Sequence, residues 1–141
     1  MDTVSFAHAI GTLLSAVALG GMLFFATVFA PQVFRSLQPA TAGDLLRQVF
    51  PVYYRVLTAL TVLAALLLWD RRTTPVLALI ALLFVFARYG LMPRIGRARD
   101  ARLDGDESEA RTFVRLHRLS VVINLAQMAA LLAVCLHLLF D

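Results

Sequence analysis

The sequence has no lysine, a single cysteine and few charged residues. Charged residues make up 16% of the 141 residues, whereas hydrophobic residues make up 60%. One small core in water cannot bury that much apolar surface. The lone Cys135 excludes a framework of intramolecular disulfides. These scarcities exclude a secreted disulfide module, a disordered chain and an ordinary soluble enzyme, and they predict a membrane protein.

Four apolar stretches are each long enough to cross a bilayer, which takes about 20 residues. They cover residues 4–33, 49–69, 75–92 and 113–140, and no acidic residue lies within them. We therefore expect one domain over residues 1–141. Its predicted fold class is all-α, an integral membrane four-helix bundle.

The arginines predict the orientation of this bundle. Only Arg71 and Arg72 lie in the second connection, whereas the first and third connections carry these basic residues: Arg35, Arg47, Arg94, Arg97, Arg99, Arg102, Arg111, Arg115 and Arg118. Under the positive-inside rule, the richer side faces the cytoplasm. Both termini are then on the outer (periplasmic) side of a bacterial-type inner membrane. Arginines that flank apolar runs favour the lipid bilayer as partner and not nucleic acid.

The third connection is the only long polar stretch. The Asp104-Gly105-Asp106 sequence is typical of a turn, and Glu107 and Glu109 suit the first turn of a following helix. We expect a cytoplasmic helical hairpin between helices 3 and 4, held by arginine–acid pairs across the hairpin. It sets the topology or docks a membrane-complex partner.

Polar residues inside the spans give the candidate site. His117, Ser120, Asn124 and Gln127 share one stripe of helix 4. Arg55 and Arg88 have no acid within any span; they either snorkel to the boundary or line a cationic pocket for an anion, a lipid phosphate or a cofactor carboxylate. The predicted pocket is closed by Pro31 and the Phe50-Pro51-Val52-Tyr53 turn. Its candidate ligand-binding residues are Arg88, His117, Ser120, Asn124, Arg55 and Tyr53.

A second group of candidates lies at the outer end. His8 and Cys135 are on predicted inward faces, with Met22 and Met128 deeper, and these side chains suit copper(I) or haem. The alternative for His8 is a histidine that hydrogen-bonds within the bundle. His8 and Cys135 are thus the candidate metal ligands.

Several motifs resemble known families. The chain resembles the transmembrane protein 205-like family in motifs along its length. They are His8-x2-Gly11, Gly20-Gly21-Met22, Pro31-x2-Phe34, Phe50-Pro51-x-Tyr53 and Phe113-x2-Leu116-His117-x2-Ser120-x3-Asn124. That resemblance covers nearly the whole chain and implies a small four-span domain of unknown function. The first helix is more distantly similar to copper-resistance D and HemJ-type membrane proteins, and this similarity implies that His8 binds haem b.

The leading functional hypothesis is a non-enzymatic membrane protein. It binds or passes a small ligand through the inward polar pocket, or it acts as an accessory subunit. The alternative is a haem b- or copper-binding redox protein that uses His8, and a third is an assembly factor that acts through the hairpin. No catalytic residues are predicted, and a homo-oligomer is compatible with the glycine and alanine faces.

Overall fold

The computed structural model describes residues 3–140, which form four long helices. They are α1 (Thr3–Ser36), α2 (Pro39–Leu68), α3 (Thr73–Leu103) and α4 (Glu107–Phe140), and all four are long and apolar enough to span a membrane. Each helix packs against the next in chain order, and α4 packs back on α1. The all-α, four-helix prediction is confirmed. The chain ends to which the predicted orientation refers, residues 1–2 and 141, lie outside the described residues.

The helices extend beyond the predicted spans at one end of the bundle, which we call the arginine-rich end. It carries the connections at residues 37–38 and 104–106. The start of α2 moves most, since α2 begins at Pro39 and not near residue 49. Proline suits a first helical turn, and Ala42 and Leu46 are buried against Val33 of α1. The charged residues Asp44 and Arg47 therefore lie on a helix and not in an irregular connection.

The core of the bundle is built from small residues of α1 facing larger ones. Ser15, Ala18 and Met22 are fully buried in α1, and Leu77 and Phe84 are fully buried in α3. Small residues let membrane helices approach closely. From α4, Gln127 is 2% exposed, and its Nε2 donates a hydrogen bond of 3.1 Å to the Ile80 carbonyl oxygen. This bond ties α4 to α3 inside the core.

Two π-helical segments interrupt α1 and α3, and each comes just before a proline. They are Phe25–Phe29, followed by Pro31, and Ala87–Leu91, followed by Pro93. The Ala30 N–H bonds the Phe25 carbonyl oxygen, and the Met92 N–H bonds that of Ala87. Proline lacks an N–H and clashes with the carbonyl four residues earlier, and a wider turn relieves both problems. Each helix thus continues past its proline with its faces rotated.

The arginine-rich end is held by contacts between α2 and α3. Arg47 Nη2 lies 2.8 Å from the Asp100 carboxylate and donates to the Gly96 carbonyl oxygen at 3.0 Å. Arg99 lies 3.0 Å from the Asp44 carboxylate and donates to the Ala40 carbonyl oxygen at 2.8 Å. We call this pair of arginines, with their acids, the clasp.

The predicted arginine–acid pairs across the hairpin are therefore wrong. Within residues 3–140 the ion pairs between helices join α2 to α3, because the first turns of α2 lie beside α3. Across the hairpin, the Arg102 guanidinium makes a cation–π contact instead, 5.4 Å from the Phe113 ring centre. The predicted turn itself is confirmed, since Gly105 has φ +96° between α3 and α4.

Candidate functional site

An aromatic cluster joins three helices at the level of the π segment of α1. Phe25 is central, with its ring centre 4.4 Å from that of Tyr53 and 5.2 Å from that of Phe50. Tyr54 continues the cluster from α2 to Phe84 of α3 at 6.1 Å. Phe29 contacts Phe25 at 5.2 Å, and both belong to the π segment. The widened turn thus contributes two rings to one side of the cluster.

A groove of about 390 Å³ runs along this cluster between α1 and α2. Its lining comes from residues 17–29 of α1 and 49–60 of α2 and is almost wholly apolar. Gly21 forms part of the wall, and a Cβ built there would meet no atom within 4 Å. Val52 and Val56, which are 50% and 52% exposed, form the rim. The groove is therefore open along its length to the surrounding medium.

The hydroxyl of Tyr53 is the notable polar group among the residues that line this groove. It is buried, and in the part of the chain that the structure describes it has no hydrogen-bond partner. Buried hydroxyls are nearly always paired, because leaving one unpaired costs about 1–3 kcal/mol. Its ring packs against Phe25 and Phe50, so the hydroxyl is held in place by aromatic contacts. The hydroxyl has almost no accessible surface, so an acceptor atom of a bound molecule would satisfy it once the side chains around it shift.

The predicted intramembrane arginines lie in separate settings. Arg55 is exposed on α2 and donates a long hydrogen bond of 3.3 Å from Nε to the Pro51 carbonyl oxygen. Arg88 is half-buried in the π segment of α3, with its guanidinium 4.7 Å from the Tyr89 ring centre. Neither lines the groove. The Phe50-Pro51-Val52-Tyr53 sequence, predicted as a turn, lies inside α2.

The predicted stripe of α4 is only partly inward. Gln127 is buried, but Ser120 and Asn124 are half-buried and His117 is exposed. Ser120 donates to the His117 carbonyl oxygen at 2.7 Å, and Asn124 lies 3.6 Å from the Met128 sulfur, both within α4. The His117 ring stacks on Phe113 at 5.9 Å. Of the six predicted ligand-binding residues, only Tyr53 lines the groove.

The predicted metal ligands differ in burial. His8 is exposed, so its predicted inward position is wrong, whereas Cys135 is buried as predicted. Over residues 3–140, no group of three or more His, Cys, Asp or Glu side chains is placed to hold a metal ion. The haem and copper hypothesis therefore stays a prediction from the sequence.

Sequence reasoning missed the wall of the groove. In the sequence, Gly21 stands out only as part of the Gly20-Gly21-Met22 motif, and nothing singles out Phe25 or Phe29. The spacing of Pro31 after an apolar aromatic run is the signal that could have located the π segment. Nothing local indicates that α1 and α2 part at Gly21, because that depends on which faces the two helices present to each other.

The fold and the groove define a multi-pass four-helix membrane protein. Residues 13–104, more than half of the chain, match the family model described as Domain of unknown function (DUF4149). The chain therefore belongs to this family. The match covers most of α1, all of α2 and α3, and the whole groove lining, and it ends before α4. No curated protein and no solved structure matches the chain.

Proposed function

We propose that this protein binds a membrane-soluble amphiphile in the groove between α1 and α2. The ligand has an apolar chain that fills the groove and a carbonyl oxygen that accepts a hydrogen bond from Tyr53. In this proposal the protein lies in a bacterial-type inner membrane, with both termini outside and the α3–α4 hairpin in the cytoplasm. The excess of arginine on the hairpin side supports that orientation.

The observation that carries the proposal is the buried, unpaired hydroxyl of Tyr53, a residue that lines an otherwise apolar groove. An apolar wall alone would be filled by any lipid chain. A fixed donor adds selectivity, because only a ligand with an acceptor at the right depth removes the penalty of the unpaired hydroxyl. Tyr53 is among the residues predicted from sequence, but its partners here are aromatic rings and not the predicted arginines.

The dimensions of the groove favour one extended chain. The lining of α2 covers residues 49–60, a length of about 16 Å at about 1.5 Å per residue. The hydrocarbon core of a bilayer is about 30 Å thick, so the groove matches the chains of one leaflet. In the proposed orientation this is the cytoplasmic leaflet, because the groove extends toward the arginine-rich end.

The first test removes only the donor. Purified protein in mild detergent is titrated with a diacyl phospholipid, and bound lipid is counted by native mass spectrometry. Tyr53→Phe should weaken binding about fivefold or more, since one buried hydrogen bond contributes about 1 kcal/mol. Tyr89→Phe makes the same change at an exposed residue outside the groove and should bind like the parent.

The second test fills the groove. Gly20 and Gly21 are neighbours, and a Cβ at either meets no atom within 4 Å, but only Gly21 lines the groove. Gly21→Leu should abolish tight lipid binding, whereas Gly20→Leu should leave it unchanged. If Gly21→Leu and Tyr53→Phe both bind lipid like the parent, the groove is not a ligand site.

The stability of Tyr53→Phe also distinguishes a ligand-binding role of the hydroxyl from a purely structural one. Without lipid, the variant should be as stable as the parent or slightly more stable, because an unpaired buried hydroxyl has been removed. With saturating lipid, the parent should gain more stability than the variant. A variant that is equally destabilised in both conditions would contradict a ligand-directed role.

Other predictions from the sequence stay proposals. They are the relationship to transmembrane protein 205-like proteins, the more distant one to copper-resistance D and HemJ-type proteins, and a homo-oligomeric or membrane-complex partner. The polar side chains of α4 do not enter the groove proposal, since none of them lines it.

A further inference from the structure

Arg55 borders the rim of the groove. It is exposed and lies three residues after Val52 and one before Val56, the two residues that form the rim. Residues three apart are neighbours on a helix surface. The bond from Arg55 Nε to the Pro51 carbonyl oxygen directs the side chain toward the start of α2 and so toward the arginine-rich end. Arg55 is therefore a surface neighbour of the two rim residues, and its side chain is directed toward the membrane boundary.

The charge of Arg55 has no counterion in the described residues. No carboxylate of residues 3–140 forms an ion pair with it, and both of its terminal amino groups carry no hydrogen bond. The clasp arginines, by contrast, each have a carboxylate within 3.0 Å. An exposed guanidinium without a carboxylate is available to an anion, and a phosphate suits its planar fork of donors.

We infer that the amphiphile is an anionic glycerophospholipid whose phosphate contacts Arg55 while one acyl chain fills the groove. This inference rests on the proposed function and adds the headgroup class. A glycerophospholipid carries both required acceptors, the ester carbonyl for Tyr53 and the phosphate for Arg55. In a zwitterionic lipid, the cationic part of the headgroup compensates the charge of the phosphate. In a lipid with a net negative headgroup it does not, so the phosphate is free to pair with the guanidinium.

The test compares two lipids with the same acyl chains and ester groups, phosphatidylglycerol and phosphatidylcholine. Contributions from the groove and Tyr53 cancel in the ratio of their affinities, so the ratio reports the headgroup. The parent should prefer phosphatidylglycerol about tenfold, the size expected for one charge-assisted contact. Arg55→Gln should reduce this preference to about onefold without abolishing the binding of phosphatidylcholine.

Two further variants make the test specific. Arg55→Lys keeps the charge and should keep most of the preference. Arg88→Gln removes the other intramembrane arginine, which stacks on Tyr89 away from the groove, and should keep all of it. If Arg88→Gln loses the preference and Arg55→Gln keeps it, the inference is overturned in favour of a pocket around Arg88.

A failure of the headgroup assignment can be distinguished from a failure of the proposed function. A parent that binds both lipids equally, but loses both on Gly21→Leu, overturns the headgroup assignment and leaves the groove intact. A free fatty acid of the same chain length is the third probe. If it displaces phosphatidylglycerol at equal concentration, a carboxylate satisfies the site and the phospholipid assignment is wrong.

Discussion

The interface between α1 and α2 is closed along one half and open along the other. In the closed half, a Cβ on Gly11 would lie 2.7 Å from Leu68 Cγ, and Ser15 and Ala18 are fully buried. In the open half, a Cβ on Gly21 would meet nothing within 4 Å. The same residue type therefore serves two purposes in one helix: Gly11 allows contact, and Gly21 leaves volume.

The physical cause of the difference is the size of the side chains that follow each glycine. Gly11, Ser15 and Ala18 form a narrow stripe on which α2 can approach closely. Beyond Met22, the facing residues of α1 are the rings of Phe25 and Phe29, which are turned toward α2 by the π segment. Bulky rings hold the helices apart, and the space between them is the groove. Stability and ligand binding are thus assigned to different halves of one interface.

The largest expected effect is in the closed half. Gly11→Ala should destabilise the protein by about 1–3 kcal/mol, because the added methyl group overlaps the buried Leu68 side chain. The measurement is unfolding in mixed micelles of sodium dodecyl sulfate and a mild detergent. Gly20→Ala in the same helix should be neutral or slightly stabilising, since it has open space and gains helix propensity. Equal stability of the two variants would remove the distinction between the halves.

The side of α2 that faces α3 provides a second comparison between glycines. At the clasp, a Cβ on Gly43 would lie 2.5 Å from Arg99 Cζ, so Gly43→Ala forces Arg99 away from Asp44 and Ala40. We expect a loss of about 1 kcal/mol, because hydrogen bonds to a charged group are lost while helix propensity is gained. The exposed Asp44 carboxylate limits the contribution of the ion pair itself.

Gly96 provides the matched control for that prediction. A Cβ on Gly96 would lie 3.2 Å from Arg47 Nη2, so Arg47 has to move less than Arg99 does when a Cβ on Gly43 lies 2.5 Å from it. Gly96→Ala should therefore cost less than Gly43→Ala in the same unfolding measurement. If Gly96→Ala is the more damaging variant, the clasp does not hold the arginine-rich end as described.

The sequence is sufficient to predict four membrane-spanning helices, because long apolar runs without acids have few alternatives. It does not predict where α2 begins. Asp44 and Arg47 look like connection residues locally, and their partners Arg99 and Asp100 are far along the chain. Hydropathy detects the apolar spans, whereas pairing between distant charges depends on how α2 and α3 align.

The candidate site was less accessible to sequence reasoning. Tyr53 was singled out, but its predicted neighbours Arg88, His117 and Asn124 do not line the groove with it. Polar residues draw attention in an apolar chain, whereas the groove is formed by an absent side chain at Gly21 and by the rings of a π segment. Its position follows from the rotation of α1 after Phe24, which no local pattern in a single sequence specifies.

The smallest expected effect is that of low pH on stability. Low pH should leave the groove unchanged, because no carboxylate lines the groove. The prediction concerns Asp106, which caps the first turn of α4. A hydrogen bond from the Ser108 hydroxyl, followed by those from the Glu109 and Ser108 backbone N–H groups, lowers the pKa of Asp106. Because the folded pKa is the lower one, the stabilisation is present above the ordinary pKa of an aspartate and is lost as the pH falls through the lowered value.

Amide hydrogen exchange from about pH 6 down to about pH 2 checks this, since the lowered pKa of Asp106 lies below the ordinary aspartate value of about 3.9. After correction for the intrinsic pH dependence of exchange, protection of the Ser108 and Glu109 amides should fall toward the acid end in the parent. In Asp106→Asn the side-chain oxygen can still accept from these amides but carries no charge, so protection should change little over the same range. Lipid bound per protein should stay constant in both proteins. A loss of lipid that tracks the loss of protection would mean that the turn and the groove are coupled, and the separation between a structural region and a binding region would then fail.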